Sequence, residues 1–157
     1  MDRATYIRGQ VLSKFDKITL SDGSKWDALN FNNTLVPVFD EFVNPKVPIP
    51  SVGGAQEVYI ILQDQQTNMN AVQTVCAPRF NLSMTIRIVT KWGLTGSKKL
   101  CEDIGETVIN LLRDDRGASK INGISKVELV TARSISEVSQ TNIAFSKILI
   151  LNFIKNG

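Results

Sequence analysis

The sequence predicts an α+β fold: a mostly antiparallel β-sheet with two α-helices packed on one face and long loops. Two segments repeat apolar residues at helical spacing, and several others alternate apolar and polar residues with a period of two. Hydrophobic residues make up 43% of the chain and charged residues 21%, which is typical of globular proteins. The 157 residues correspond to a single domain over 1–157.

The first predicted element is an amphipathic helix that ends near Phe15. Its apolar stripe consists of Ala4, Ile7, Val11, Leu12 and Phe15. Asp2 is the predicted N-cap because its carboxylate can accept a hydrogen bond from a free N–H of the first turn.

Three polar or Pro/Gly-rich segments are predicted as extended loops, at about 21–33, 44–56 and 67–79. They are long compared with hairpin connections of about two to five residues. Long loops on a small sheet are often interaction surfaces. The second of them contains three prolines, which favour an irregular segment on the surface.

Five later segments are predicted as strands: 35–42, 57–66, 80–92, 126–137 and 143–154. Pro37 places the first at an edge or start of the sheet because proline lacks an N–H donor. The strand over 80–92 alternates most regularly, so one face should lie on the core and the other in solvent. The last strand is apolar on both faces, which indicates a central buried strand or one whose outer face meets another subunit.

The second helix is predicted to begin after Gly93 and Gly96, with Ser97 as its cap, and to end near Arg113. Strand, glycine turn and helix follow one another as in a phosphate-binding loop. Such a loop needs glycines five apart and a lysine directly after the second. Here they are three apart and Ser97 follows, so a tight turn is favoured over a nucleotide site.

The composition excludes several kinds of chemistry. The chain has no histidine, which rules out Ser-His-Asp and Cys-His catalysis and imidazole metal ligation. Cys76 and Cys101 are too few for a disulfide framework or a four-cysteine zinc site. Asp114 and Asp115 lack the surrounding pattern of a calcium loop. We therefore expect no enzyme, no catalytic residues, no metal and no cofactor.

Charge and hydropathy point away from two classes of partner. The net charge is only +3 and the basic residues are spread along the chain, so a DNA reader is not indicated. The segment Met1–Ala4 lacks the layout of a signal peptide. The longest apolar run, near 148–154, is far shorter than the ~20 residues that cross a bilayer. A membrane partner is therefore not expected.

Six residues are candidates for an interface with a partner: Trp26, Met69, Val72, Val75, Arg87 and Lys91. Trp26 lies beside a polar turn, and aromatic residues are enriched at binding hot spots. The next three give the loop 67–79 apolar contacts among polar residues, so that it could extend as an arm to a neighbouring protein. Arg87 and Lys91 share the polar face of their strand. They could line a channel or contact an acidic partner, but a solvated sheet face is the favoured interpretation.

The succession of these elements resembles the tail-completion or tail-terminator-like neck proteins of tailed bacteriophages. The features that match are the helix over 6–15, the Val-Pro-Val-Phe-Asp strand at 36–40, the Tyr-Ile-Ile-Leu-Gln-Asp-Gln strand at 59–65, the alternating strand at 80–92, and the helix at 98–113 with its closing strand pair. The resemblance extends from about residue 3 to residue 154. Residues 16–33 are longer than the usual link in that family.

The resemblance implies a structural virion protein that joins the head connector to the tail or terminates the tail tube. It implies a homo-oligomeric ring of six-fold or higher symmetry, adjacent neck, connector and tail proteins as partners, and DNA at most passing through the lumen. The protein would be made in the host bacterial cytoplasm and reside in the virion. The alternatives are a small intracellular protein-binding module without catalysis, a connector ring of a short-tailed phage, and a carboxylate enzyme or nucleotide binder.

Overall fold

A computed structural model describes residues 3–69 and 79–156, which form one sheet flanked by two helices. In chain order the elements are α1 (Arg3–Leu12), β1 (Asp16–Thr19), β2 (Lys25–Phe31), β3 (Thr34–Asp40), β4 (Glu57–Met69), β5 (Arg79–Trp92), α2 (Lys99–Leu112), β6 (Lys126–Val138) and β7 (Ile143–Asn156).

The seven strands form one sheet in the order β1-β2-β3-β4-β5-β7-β6. Only β3 and β4 run parallel, over a short stretch in which Val38–Asp40 lie beside Ile60–Leu62. All other neighbouring pairs are antiparallel. The predicted α+β class and its mostly antiparallel sheet are confirmed. The last strand, β7, lies between β5 and the edge strand β6, and its outer face is covered only in part, since Ile148 is buried and Ile150 is partly exposed.

Both helices pack on the same face of the sheet, called here the inner face. The helical side chains in this core are Ile7 and Val11 of α1, Phe15 just beyond it, and Cys101, Ile104, Val108 and Leu112 of α2. The central strands supply Leu82, Met84, Ile86 and Ile88 of β5 and Leu149, Leu151 and Phe153 of β7. The apolar faces of the two helices and of the alternating strands therefore pack against each other in one core, as the two sequence patterns predict.

The opposite, outer face has a smaller core over β3 and β4. It consists of Phe39, Val47, Tyr59 and Val89, with Leu20, Trp26, Ile49 and Ile61 packed against it. The segment 44–56 is irregular, as its prolines predict, but Val47 and Ile49 turn inward and cover the sheet. Further along the outer face, Thr85, Arg87 and Ile150 of β5 and β7 stay partly exposed.

The prediction of an extended loop over 21–33 is wrong, because β2 occupies Lys25–Phe31. Both predicted turns are present. Each one joins the two strands of a hairpin, and they do not form one long loop. At the second turn Asn32 and Asn33 have φ values of 48° and 67°, the left-handed pair that a two-residue hairpin turn needs.

The predicted loop 67–79 is shorter than expected. Strand β4 continues to Met69 and β5 begins at Arg79, with Met69 opposite Phe80 in the ladder. A bulge between Leu62 and Gln65 separates this outer part of the pair from the rest. The predicted interface residues Val72 and Val75 lie outside the described residues.

The position of β3 in the sheet and the end of α1 also differ from prediction. Strand β3 is not an edge strand, since β2 and β4 lie on either side of it. It still accommodates Pro37, because pairing with β4 begins only at Val38. Helix α1 ends at Leu12, so Phe15 enters the core from the turn that follows. The predicted N-cap Asp2 lies outside the described part of the chain.

Candidate assembly surface

Arg87 ties three strands together across the outer face of the sheet. Its Nε and Nη2 donate to the hydroxyl of Ser146 on β7 at 3.3 and 3.2 Å. Nη2 also pairs with the Glu137 carboxylate of β6 at 3.4 Å. The guanidinium fork suits this arrangement because its donors diverge in one plane. Arg87 therefore braces β5, β7 and β6, and its charge is partly compensated within the chain.

Lys91 lies on the same face of β5, two positions beyond Val89. Its Nζ is 3.5 Å from the Glu57 carboxylate and 5.6 Å from the centre of the Tyr59 ring. An ammonium over an aromatic face is attracted by the ring quadrupole. Both predicted basic residues are thus paired with carboxylates of their own chain, and the choice between a solvated face and a partner surface stays a prediction.

An open cleft of about 560 Å³ lies where β5 ends and β4 begins. Glu57, Lys91 and Glu137 all line it, together with the β6–β7 turn. Glu57 is paired with Lys91, and Glu137 with Arg87, so the charges of this polar surface are balanced within the chain. Such a cleft suits a hydrogen-bonding group of a neighbouring protein.

Trp26 is partly buried and belongs to the smaller core on the outer face. Its indole Nε1 donates to the carbonyl oxygen of Val38 at 2.9 Å. Its ring centre lies 5.9 Å from that of Phe39, which in turn is 6.0 Å from Tyr59. Packing inside the chain therefore accounts for the tryptophan, and its role at an interface stays a prediction.

The β4–β5 pair forms a long ribbon that leads to residues 70–78. Beyond the bulge, Gln65–Met69 pairs continuously with Phe80–Met84. The same part of β5 is held on its other side by the end of β7. Met69, the first of the predicted arm residues, is the last residue of β4. The predicted arm therefore starts from a strand pair that is part of the sheet.

The turn that resembled a phosphate loop has a packing role. Lys98, not Ser97, is the N-cap of α2, and the Ser97 hydroxyl accepts from the N–H of Lys99 at 3.1 Å. A Cβ on Gly96 would lie 2.6 Å from Cγ of Trp92. The glycine thus lets the chain turn tightly against the indole ring, which is itself almost fully buried.

We expect Gly96→Ala to lower the free energy of unfolding by about 1–3 kcal/mol, because the new methyl group overpacks the Trp92 ring. Urea denaturation followed by tryptophan fluorescence measures this. Gly9→Ala is the control, since nothing lies within 4 Å of a Cβ there. Equal stability of Gly96→Ala and the parent protein would contradict this account of the turn.

The acidic pair and the described cysteine have structural roles as well. Asp114 accepts hydrogen bonds from the backbone N–H groups of Arg116 and Ala118 at 2.9 Å, which shapes the turn after α2. Cys101 lies in the main core, where burial raises the pKa of its thiol. Within residues 3–69 and 79–156, no group of three or more acidic or cysteine side chains could hold a metal ion.

The two most exposed large apolar side chains of the described residues were not among the predicted interface residues. Phe42 is 79% exposed and Leu94 is 75% exposed. Phe42 follows Glu41, whose φ of 66° turns the chain out of β3, and no sequence signal places a glutamate in that conformation. Leu94 could have been found, because it stands between Gly93 and Gly96 at a break in the pattern.

Comparison of the chain with protein-family models and with curated proteins finds no match. Neither of the two described helices is long and apolar enough to cross a membrane.

Proposed function

We propose that this protein is a structural component of the neck or tail of a tailed bacteriophage. It assembles as a ring that joins the head connector to the tail or terminates the tail tube. The observation that supports this most is the outer face of β5, β7 and β6. There, partly exposed Ile150 and the nearly buried Ile148 lie beside the Arg87 brace, on strands held in fixed register.

A closed ring requires one surface of each subunit to fit a different surface of the next, with a rotation that returns on itself. A rigid sheet face suits this because its side chains are ordered before contact, so little conformational entropy is lost. The partly exposed Ile150 of β7 supplies apolar area, and the cleft lined by Glu57 and Glu137 supplies a polar rim.

The proposed partners are further copies of the chain, arranged with six-fold or higher symmetry, and the adjacent neck, connector and tail proteins. DNA at most passes through the lumen. The protein would be made in the host cytoplasm and reside in the virion. No catalytic step and no cofactor are part of this proposal.

The mass of the purified protein over a concentration series tests the ring. Light scattering after size exclusion should show a species of at least six times the 17.4 kDa subunit, and electron microscopy should show closed rings. The subunit count separates a tube-capping hexamer from a larger connector ring. A mass that never exceeds two subunits, with full assembly of particles in the absence of this protein, would favour the protein-binding module instead.

A further inference from the structure

Strand β6 forms one edge of the sheet and is long for that position. Twelve of its 13 residues pair with β7 on one side, while on the other side no described strand lies and only Gly117 and Ala118 bond or bridge to its first two residues. The unpaired N–H and C=O groups of an edge strand can template pairing with another chain. Proteins usually guard such edges with lysine, proline, bulges or covering segments.

Only the first half of β6 is guarded in this way. It contains Lys126 and a bulge between Leu129 and Thr131, which disrupts the regular spacing of the backbone groups. The second half, from Thr131 to Val138, pairs with β7 without interruption. It has neither lysine nor proline, and Val138 at its end is 74% exposed.

We propose that the second half of β6 pairs antiparallel with β6 of a second copy, about a two-fold axis at Ile135. With a two-fold axis perpendicular to the sheet, the outer face of one copy continues into the outer face of the other. Two residues that lie opposite each other across the axis must therefore belong to the same face. The outer face of β6 carries Arg133, Ile135 and Glu137. Their partners on β7 are every second residue of that strand (Ile148, Ser146 and Ala144), and residues that are paired in a sheet lie on the same face. In this register Ile135 lies opposite itself.

Charge favours this register because, of the axes from residue 133 to residue 137, only the one at Ile135 places opposite charges across from each other. With the axis at Ile135, Arg133 of each copy lies opposite Glu137 of the other, which gives two ion pairs. With the axis at Arg133 or at Glu137, like charges would face each other, which destabilises a sheet. On the inner face, Ser134 lies opposite Ser136 and Ala132 opposite Val138, so no charge is opposed there.

The side chains are placed for such pairing in the single chain. Arg133 is exposed and forms no ion pair with another described residue. Glu137 contacts Arg87 through Oε1 at 3.4 Å, and its side chain remains 68% exposed. Its second oxygen can therefore accept from Arg133 of a second copy. The result would be one sheet continuous across the two copies.

This contact differs from the proposed ring in its symmetry, although Glu137 borders both surfaces. A two-fold contact uses the same surface on both copies and closes after two, whereas a polar ring needs two different surfaces. The β6 pairing can therefore exist in the free protein whether or not a ring forms, and each proposal can fail without the other.

The test uses two charge reversals, Arg133→Glu and Glu137→Arg, with the mass measured by sedimentation equilibrium. At concentrations below those at which any larger species forms, the parent protein should show a species of twice 17.4 kDa. In a dimer of either variant alone, two pairs of like charges lie opposite each other. The dissociation constant of that dimer should therefore rise about tenfold or more. An equimolar mixture should restore the dimer, because every Arg–Glu pair is then re-formed between unlike copies.

The matched control is Lys126→Glu, which makes the same change of charge on β6 but on the other side of the bulge, and it should leave the dimer unchanged. Circular dichroism checks that each variant is folded. A parent protein that stays at one subunit mass overturns the proposal. The proposal is also overturned if the equimolar mixture dimerises no more tightly than either variant alone. It is overturned likewise if Lys126→Glu weakens the dimer as much as Arg133→Glu does.

Discussion

Replacing residues 70–79 with Asn-Gly should leave the protein folded and, under the proposed function, abolish its joining to the neighbouring ring or tail. Met69 and Phe80 are directly opposite each other, so two residues can close the hairpin between them in a left-handed turn. The β4–β5 ladder stays intact from the Met69–Phe80 pair onward, and only Arg79 is lost from the pairing of β5 with β7. The apolar Val72 and Val75 are removed with the arm. Urea denaturation should give a midpoint close to that of the parent protein.

The readout of joining is the yield of infectious particles when the variant replaces the natural gene copy. We expect this yield to fall by several orders of magnitude, because an assembly step without its contact has no alternative route. The control is Leu94→Ser, which removes an exposed apolar side chain outside the arm. A normal yield from the arm replacement would rule out the role assigned to these residues.

The largest effect on stability is expected for Phe153→Ala on β7. Phe153 is fully buried on the inner face, between Leu82 of β5 and Val127 of β6, which are themselves fully buried. Removing the ring leaves a cavity bounded by three strands that cannot collapse independently. The free energy of unfolding should fall by about 3–5 kcal/mol, as measured in guanidinium chloride.

Ile150→Ala is the matched control, since Ile150 lies on the same strand but is only partly buried on the outer face. Its loss of stability should be less than half as large. If both variants lose the same stability, then the outer face is as tightly packed as the inner one. In that case the partly exposed isoleucines would not be available to a neighbouring subunit.

The elements that could be predicted from sequence are those whose pattern is long and regular. Strand β5 alternates over its whole length, and α2 repeats Ile104, Val108 and Leu112 on one side, so one face of each had to be buried. Strand β2 was missed because Asp27 and Asn30 place a polar residue on either face, which hides the alternation. Turn signals on both sides of it then suggested one loop.

The candidate surface could be predicted only in part, for a similar reason. The alternation of β5 correctly placed Arg87 and Lys91 on one face. Their carboxylate partners come from Glu137 and Glu57, which are 50 and 34 positions away, and no local pattern specifies such pairs. The prolines of 44–56 likewise indicated an irregular segment, but not that Val47 would cover the outer face.

The position of β7 between β5 and β6 has a consequence for synthesis of the chain. β5 is complete at Trp92, but its neighbour on one side is the last of the described strands to be synthesised. Until Ile143–Asn156 has been made, β5 has an open hydrogen-bonding edge and an incomplete apolar face. Over this interval the nascent chain exposes a strand edge and apolar surface, the two features that favour aggregation of incompletely folded chains.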